Sequence, residues 1–455
     1  MGDINDPGLL SPGQTSLLID QYELTMAASY HRRRINETAV FELFFRRLPP
    51  NRDWLVACGA GPTLRLVEEL RFGEPELGFL RKAGFDEEFL AALAKFRFSG
   101  EVEGMPEGTL AFADEPVLRV TAPRIEAQVL ETLLLNQISF QTMIATKAAR
   151  LVLAAGSGEP GSGGSVLDFS PRRDHGIDAA MKAARASAIA GCAGTSNVAA
   201  AMRFGLDPVG TMAHSYVLSF PTETEAFEAF LQDQPGNAVL LVDTYDTLEG
   251  VRNAIAASRR TRVPLLGIRL DSGDLAALSR EARRLLDEAG MSETRIVASG
   301  DLAEPRIAEL VSEGAPIDVW GVGTDLGTSP DSPVVNGVYK LVADHREGAW
   351  RGVAKASEGK ETRPGAKQVY RRVRDGEIAG DVIGLEEESI DGHPLLVPMM
   401  EAGRILQAES IEQMRARTAR SLASLPAGLR RGGGRAYRVG YSPGLRESRA
   451  DAVAG

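Results

Sequence analysis

The sequence is poor in cysteine and histidine, and each scarcity excludes a class of protein. The 455 residues include two cysteines, Cys58 and Cys192, and five histidines. Two cysteines cannot build a disulfide framework, nor a cysteine-based zinc site by themselves, so we expect both to be small buried apolar residues. The five histidines show no His-Glu-x-x-His or comparable spacing, which argues against a transition-metal site.

The chain also lacks the segments that would direct it to a membrane or to nucleic acid. No apolar run approaches the ~20 residues needed to cross a bilayer. The opening residues contain no basic segment followed by an apolar core, as a signal peptide would. The formal net charge of −11 disfavours general nucleic-acid binding, which needs clustered Lys and Arg. We therefore expect a cytoplasmic protein that binds neither membranes nor nucleic acids.

From about residue 165 onward the sequence repeats one unit: a short apolar run, a loop with Gly, Ser or Asp, and a helix-like segment. The apolar runs are SVLDF, IAGCAG, DPVGTM, AVLLVD, VPLLGIRL, TRIVAS and IDVWGVG. This alternation predicts parallel strands joined by helical crossovers and covered on both faces. The predicted fold class is therefore α/β, with an irregular β/α barrel domain and a smaller α/β lobe built from both chain termini.

The domain boundaries follow from length and composition. A chain of 455 residues exceeds what one hydrophobic core usually serves. Residues 1–123 mix short strand and helix signals, and we assign them to the N-terminal part of the split lobe. Residues 124–350 are assigned to the barrel, and residues 351–455, where the pattern becomes shorter and more basic, to the C-terminal part of the lobe.

Two glycine loops follow consecutive strands late in the barrel, with the sequences SGD and GVGTD. Both leave the carboxyl end of a predicted strand, where barrel enzymes place their active sites. Glycine lets the backbone approach a phosphate closely, and a following helix adds unpaired N–H groups. Together the two loops predict a phosphate site.

The loops RLDSGD and DTYDT offer charged side chains at neighbouring strand ends. Arg269 could meet a carboxylate or phosphate, and Asp271 could accept from sugar hydroxyls or help to hold hydrated magnesium. The alternative for such aspartates is helix capping, for which Asp274 and Asp246 are the favoured candidates. Asp243 is expected at the end of its strand.

The motif GTMAHS places His214 among residues too small to bury it. At a strand end, near glycine loops and carboxylates, this histidine is a candidate general base or nucleophile. His175, in RRDHG, is the competing candidate. His31, His345 and His393 lie outside this region and are expected at the surface.

Taken together, these motifs resemble those of the nicotinate phosphoribosyltransferase family. The matching segments are LLIDQYELTMAASY, FELFFRRLP, GTSN, GTMAHS, RLDSGD, GVGT and KASEGKETRPGAKQVYR. The resemblance implies a type II phosphoribosyltransferase fold and a homodimer. It also implies that nicotinate attacks C1 of 5-phosphoribosyl 1-pyrophosphate, giving nicotinate mononucleotide and pyrophosphate on the salvage route to NAD. ATP would be a co-substrate, and Mg²⁺ would accompany phosphoribosyl pyrophosphate and ATP.

The resemblance also implies roles for individual residues. His214 would be transiently phosphorylated by ATP and oriented by Asp243, while Tyr22 and Phe169 would sandwich the pyridine ring. Other substrate contacts are implied for Arg172, Ser196, Arg269, Asp271 and Asp301, and phosphate contacts for Gly300, Gly321, Gly323 and Thr324. Pyrophosphate could be clamped by Arg46, Lys360 and Lys367. No residue is assigned as a metal ligand.

Two positions bear on the substrate. The related nicotinamide phosphoribosyltransferase has an aspartate in the Gly-Thr motif that holds Ser196 here; a serine hydroxyl can donate to the carboxylate of nicotinate, which an aspartate would repel. Ser170-Pro171 departs from the family pattern and leaves open whether Arg172 or Arg173 meets that carboxylate.

The alternatives are a nicotinamide or quinolinate phosphoribosyltransferase, a catalytically silent nucleotide-binding paralogue, and a barrel aldolase or isomerase. Ser196 disfavours nicotinamide. The intact histidine and glycine loops disfavour a silent paralogue, and the absence of a strand-end lysine disfavours an aldolase.

Overall fold

The computed structural model describes residues 10, 12–49, 51–156, 164–355, 362–430 and 437–454. The chain divides into two compact units. One consists of Met1–Met143 with Asp331–Gly455 and is called the terminal unit here; the other, Ile144–Pro330, is called the central unit. The sequence places the boundaries instead near residues 124 and 350. Lys360 and most of the glycine-rich loop after residue 156 lie outside the described residues.

The N-terminal part of the terminal unit is mostly helical. After a 3₁₀ helix at Pro12–Leu17, its elements are α1 Gln21–Arg33, β1 Thr38–Phe45, β2 Leu55–Val56, α2 Ala60–Glu69, α3 Glu74–Lys82, α4 Glu87–Ala94, β3 Glu101–Gly104, β4 Leu110–Ala111, β5 Pro116–Pro123, α5 Arg124–Gln128 and α6 Glu131–Ala154. Local chemistry explains where helices begin: the Asp86 side chain accepts from the Phe89 N–H and caps α4. Helix α6 continues across the unit boundary.

The central unit alternates strands and helices, as its sequence predicts. Its elements are β6 Ser165–Asp168, α7 Ile177–Ala190, β7 Gly194–Thr195, α8 Val198–Phe204, α9 His214–Val217, α10 Glu223–Asp233, β8 Val239–Leu241, α11 Thr247–Thr261, β9 Gly267–Leu270, α12 Leu275–Glu288, β10 Arg295–Ala298, α13 Glu304–Ser312, β11 Val319–Val322 and α14 Thr324–Thr328, with a 3₁₀ turn at Pro235–Asn237. Asp246 and Asp274 cap α11 and α12 through their side chains, which confirms both predicted caps.

The strands of the central unit form one six-stranded sheet in the order β7-β6-β11-β10-β9-β8, and every pairing in it is parallel. The α/β class and the parallel sheet are therefore confirmed, but among the described residues no pairing joins β7 to β8, so the sheet is a half-barrel and not a closed ring. The run DPVGTM explains this difference. It forms a single bridge, Pro208 with Thr195, through the N–H groups of Thr195 and Val209, and on its other edge Pro208 has no N–H to donate to a further strand.

The sheet is buried on both faces, as expected for parallel strands carrying helical crossovers. Leu240, Ile268, Ile296 and Trp320 are each at most 1% exposed. Since apolar burial contributes roughly 25 cal/mol per Å², these side chains fix the strands firmly and leave the loops at their carboxyl ends free to differ in chemistry.

The C-terminal part of the terminal unit is rich in antiparallel strands. Its elements are β12 Gly337–Arg346, β13 Ala349–Gly352, β14 Lys367–Arg374, β15 Glu377–Leu385, β16 His393–Pro394, β17 Val397–Glu401, β18 Arg404–Ile405, α15 Ile411–Ala423, α16 Ala427–Arg430, β19 Val439–Tyr441 and α17 Pro443–Ala454. Strands from both ends of the chain share a seven-stranded sheet in the order β13-β12-β1-β5-β3-β17-β18. A four-stranded sheet, β16-β14-β15-β19, and the pair β2-β4 complete the unit.

Three expectations about single residues are settled by burial and bonding. Cys58 and Cys192 are both buried and reduced, as predicted. Lys367, expected near pyrophosphate, is instead buried in the terminal unit. Its ammonium pairs with Glu42 at 2.8 Å and donates to the carbonyls of Arg363 and Gly365, so all three protons are used.

Across the described ranges, no helix combines the length and the hydrophobicity that a bilayer crossing requires.

Candidate active site

A cavity of about 500 Å³ lies at the carboxyl ends of the central strands. It is lined mainly by the loops that follow β6, β9, β10 and β11. The lining residues are Phe169, Arg172, Arg173, Arg269, Asp271, Ser299, Gly300, Asp301, Leu302, Ala303, Gly321, Gly323, Thr324, Asp325 and Pro330. Both glycine loops named in the sequence thus contribute to one cavity, as a phosphate site built from consecutive strand ends requires.

The glycines of these loops are needed for close packing between neighbouring strand ends. Gly300 has φ of +86°, and a Cβ there would lie 2.0 Å from the carbonyl oxygen of Asp271. A Cβ on Gly321 would lie 2.5 Å from the ring of Phe169. Any side chain at either position would push the loops apart, so the width of the cavity depends on these two glycines.

Arg269 and Asp271 form the polar floor of the cavity together with Ser299. Arg269 donates from Nη2 to Asp271 Oδ1 at 3.0 Å and from Nε to Ser299 Oγ at 2.8 Å. Its guanidinium also lies 5.9 Å from the centroid of the Phe169 ring. Although burial alone would raise the pKa of Asp271, the hydrogen bonds from Ser299 and Arg269 outweigh it and lower that pKa below its ordinary value. Asp271 is therefore ionised at neutral pH.

His214 lies at the start of α9 beside two carboxylates. Its Nε2 is 4.0 Å from Asp243 Oδ1 and 4.0 Å from Asp271 Oδ2. Its Nδ1 is 3.1 Å from the hydroxyl oxygen of Thr244. Two carboxylates facing Nε2 favour the tautomer with the proton on that nitrogen, which leaves Nδ1 to accept from the Thr244 hydroxyl. The ring is 42% exposed, so a ligand can reach it.

Asp243 is held rigidly but is only partly hydrogen-bonded. Its Oδ2 accepts from the Asp271 N–H at 2.9 Å and from the Ser272 hydroxyl at 2.7 Å. Its Oδ1 is buried and has no hydrogen-bond partner among the described residues. That oxygen faces His214, so a proton on Nε2 or a cation nearby would offset the cost of burying it. Asp271 belongs both to this group and to the cavity lining, and so connects the two.

Four of the residues predicted for catalysis or substrate binding lie away from the cavity lining, as do Arg46 and Lys367, which were predicted for pyrophosphate. His214, Asp243 and Ser196 belong to the central unit without lining the cavity, and Tyr22 belongs to the terminal unit on α1. The Ser196 N–H donates to the Asp168 carbonyl at 2.8 Å. The Tyr22 side chain is half-exposed; desolvation, with Glu131 adding to it, raises the pKa of the phenol.

The basic loop after β6 places two arginines at the cavity. Arg172 and Arg173 are both exposed and both line the cavity. The resemblance implies one arginine for the carboxylate of nicotinate, and the cavity offers two. His175 on the same loop is exposed and, like His214, does not line the cavity; the two carboxylates 4.0 Å from Nε2 favour His214 as the reacting histidine.

Thr244 is a site residue that the sequence motifs did not identify. The sequence contains one indication of its role: Thr244 directly follows Asp243 in DTYDT, which places a hydroxyl at a strand end. A threonine is common in such loops for purely conformational reasons, so only the 3.1 Å contact with His214 identifies it.

A parallel α/β sheet, a glycine-walled cavity at its carboxyl edge and a histidine set between carboxylates define an enzyme of phosphorylated small molecules. The nicotinate phosphoribosyltransferase N-terminal domain model matches residues 17–139, and the nicotinate phosphoribosyltransferase family model matches residues 165–369. The chain belongs to the nicotinate phosphoribosyltransferase family, which confirms the resemblance seen in its motifs.

Individual relatives agree with this assignment. The chain is 46% identical over 420 residues to nicotinate phosphoribosyltransferase pncB2 of Mycobacterium tuberculosis, covering 91% of this chain and 88% of that protein. It is 43% identical to nicotinate phosphoribosyltransferase of Bacillus subtilis, covering 83% of this chain and 77% of that protein. The crystal structure of human nicotinic acid phosphoribosyltransferase superposes with a TM-score of 0.82 at 27% identity, covering 95% of this chain and 99% of that chain.

Proposed function

We propose that this protein transfers the phosphoribosyl group of 5-phosphoribosyl 1-pyrophosphate to nicotinate, forming nicotinate mononucleotide and pyrophosphate for NAD salvage. The observation that carries the proposal is the cavity itself, in which two glycine loops face Phe169 and two arginines. That set of groups suits a phosphate, an aromatic ring and a carboxylate, the three features that the substrates and product combine.

Each part of the ligand has a matching group. The 5-phosphate meets the backbone of Gly300, Gly321 and Gly323 and the Thr324 residue that follows. The pyridine ring packs on Phe169, and its carboxylate pairs with Arg172 or Arg173. The roles of Tyr22 at the ring and of Ser196 at the carboxylate rest on their motifs.

The displacement at C1 forms a C–N bond to nicotinate while the C–O bond to pyrophosphate breaks. Positive charge develops on the ribose, and the ionised Asp271, held by Arg269 and Ser299, is placed to stabilise it. Asp301, exposed at the cavity, can accept from ribose hydroxyls.

Magnesium fits this donor set as a companion of the substrate. Asp271 and Asp301 offer the carboxylate oxygens that Mg²⁺ takes, but no group of three or more His, Cys, Asp or Glu side chains in the described ranges could hold a metal alone. The remaining ligands would come from the phosphates and water. When bound, Mg²⁺ would neutralise charge on the departing pyrophosphate.

We further propose that ATP phosphorylates His214 during turnover. The unprotonated nitrogen, Nδ1, would form a bond to the γ-phosphorus while the bond to the β,γ-bridging oxygen breaks and ADP leaves, and the Thr244 hydroxyl would then donate to a phosphoryl oxygen instead of to Nδ1. Asp243 and Asp271 would keep the proton on the opposite nitrogen and stabilise the cationic ring.

A homodimer and a cytoplasmic location complete the proposal. Ile177, Val198 and Met202 of the central unit are between 67% and 84% exposed, and apolar side chains of this size are of the kind that a subunit contact buries. Phosphoribosyl pyrophosphate and ATP, the substrates proposed here, are charged metabolites that cells keep in the cytoplasm.

The test is product formation from nicotinate and from nicotinamide, each with phosphoribosyl pyrophosphate, Mg²⁺ and ATP. Wild-type protein is expected to use nicotinate, and His214→Ala is expected to lose the stimulation by ATP. His175→Ala, the exposed histidine of the loop after β6, is the matched control and should behave as wild type. Preference for nicotinamide would overturn the substrate assignment, and no reaction with either substrate would favour a silent paralogue.

A further inference from the structure

A buried lysine connects the two helices that follow the glycine loops. Lys147 lies on α6 within the central unit, and its side chain is 1% exposed. Its ammonium nitrogen is 2.5 Å from Glu304 Oε2 and 2.6 Å from Asp325 Oδ2. Arg150, on the same helix, reaches the other oxygen of Glu304 at 3.3 Å.

The carboxylates of Glu304 and Asp325 lie where they would repel an anion bound in the cavity. Glu304 is the first residue of α13, just after the loop of Gly300 and Asp301. Asp325 is in the first turn of α14, just after Gly323 and Thr324, and it lines the cavity. A carboxylate of the protein thus follows each glycine loop, where it would repel a phosphate in the same cavity unless its charge were neutralised.

Burial makes this neutralisation necessary. The Glu304 side chain is 10% exposed and the Asp325 side chain 17% exposed, so water screens neither charge well. Burial raises the pKa of the Asp325 carboxyl, and the hydrogen bond from Lys147 opposes that rise. Without Lys147 the carboxylates of Glu304 and Asp325 would lie close together beside the cavity, and the ammonium that pairs with both would be missing.

We propose that Lys147 is a positioning residue of the phosphate site: it neutralises Glu304 and Asp325 and holds the two glycine loops at the spacing that a phosphate ester requires. Lys147 does not line the cavity, so its effect passes through the two carboxylates. The inference rests on the proposed function, because it requires a phosphate in this cavity.

Binding of ribose 5-phosphate, measured by titration calorimetry on the full-length protein, tests the proposal without turnover. Lys147→Met keeps the aliphatic length and removes the charge, and it should weaken binding by about tenfold or more, as loss of one partner of a buried ion pair does. Lys147→Met combined with Asp325→Asn removes the carboxylate left at the cavity and should restore most of the affinity. Lys182→Met, on α7 with its partner Asp178 largely exposed, is the control and should bind as wild type.

A steady-state assay supplies a second readout that loss of folding alone would not give. Lys147→Met should raise the KM for phosphoribosyl pyrophosphate about tenfold and leave the KM for nicotinate within about twofold. Lys147→Arg keeps the charge and should lose less than Lys147→Met. Wild-type affinity in folded Lys147→Met, or no recovery in the double variant, would overturn the role of Lys147.

The remaining outcomes separate this inference from the proposed function. If Lys147→Met does not fold, the triple variant with Glu304→Gln and Asp325→Asn removes all three charges; it should fold and bind ribose 5-phosphate, and its failure to bind would overturn charge neutralisation. If the wild-type protein forms product from nicotinate but does not bind ribose 5-phosphate, the role of Lys147 is overturned and the proposed function stands; if it does neither, both are overturned.

Discussion

One group of charged side chains in the terminal unit and one in the central unit are arranged in opposite ways. In the terminal unit Arg371 and Asp381 are buried and bonded on several sides: Arg371 Nη2 lies 2.6 Å from Asp381 Oδ2, and the Tyr437 hydroxyl donates to Asp381 Oδ1 at 2.7 Å. In the central unit His214 stands 4.0 Å from each of two carboxylates and is 42% exposed. Closely bonded charges fix a structure, whereas charges held apart at an accessible edge keep the capacity to bind or react with a ligand.

The carboxylate of Asp243 in the central unit is hydrogen-bonded through only one of its two oxygens. Asp243 is immobilised through Oδ2 by two donors from the RLDSGD loop, so Oδ1 stays fixed toward His214 although it has no partner of its own among the described residues. Leaving that oxygen without a hydrogen bond reduces the free energy of unfolding, and the packing of the surrounding β sheet, which is buried on both faces, compensates for that loss.

The largest effect is expected from breaking the buried pair of the terminal unit. Arg371→Met removes the guanidinium and leaves Asp381 buried without its cation, so the free energy of unfolding should fall by about 3–5 kcal/mol. Chemical denaturation measures this change. Arg372→Met, on the next position of the same strand with an exposed partner 4.0 Å away, is the control and should cost less than about 1 kcal/mol. Equal losses in the two variants would remove the distinction drawn for the terminal unit.

A smaller stability loss but a selective loss of activity is expected from Gly300→Ala. The added methyl would meet the Asp271 carbonyl oxygen at 2.0 Å in a left-handed backbone, so the strand-end loops must separate at a cost of about 1–3 kcal/mol. We expect kcat/KM to fall by roughly 10- to 100-fold, because the phosphate and ribose contacts share that loop.

The matched control is Gly290→Ala, at a similar φ of +77° but with nothing within 4 Å of the added methyl. It carries the backbone strain without the clash and should keep wild-type kinetics. Equal kinetic losses in the two variants would show that backbone strain, and not the width of the cavity, limits activity.

The smallest effect is expected from Thr244→Val, which keeps the shape of the side chain and removes its hydrogen bond to His214. One such bond contributes about 1 kcal/mol, so the ATP-stimulated rate should fall between about threefold and tenfold. Synthesis without ATP should be unchanged, and Thr244→Ser should recover the stimulation. An unaltered ATP-stimulated rate in Thr244→Val would show that the carboxylates alone orient the histidine.

Much of the central unit could be predicted because its signals are local. Asp246 and Asp274 cap the helices assigned to them, since a cap depends on the backbone N–H groups of the next turn. The glycine loops were assigned to consecutive strand ends, and the parallel sheet brings them to one cavity. The predicted irregular barrel is found as a half-barrel, because DPVGTM is an apolar run whose proline has no N–H to offer a further strand.

The residues that act at a distance in the sequence could not be predicted. Lys147 lies in an apolar helical segment far from Glu304 and Asp325, and nothing in ATKAAR indicates that its ammonium is buried between them. Lys367 follows a basic stretch typical of anion binding, yet it pairs with Glu42 from a strand more than three hundred positions away. Such pairs form when strands and helices meet, and no spacing along the chain encodes them.

The sequence by itself determined the family, the order of strands and helices in the central unit, the caps, and the residue types at each strand end. Propensity, capping and glycine conformations depend on near neighbours, so they can be seen in a few letters. Only the tertiary structure decided that Thr244 contacts His214, that Asp271 lies both beside the histidine and in the cavity lining, and which charged side chains are buried in ion pairs. Distances of a few ångströms between distant segments set those properties, because electrostatic and hydrogen-bond energies fall steeply with separation and depend on burial.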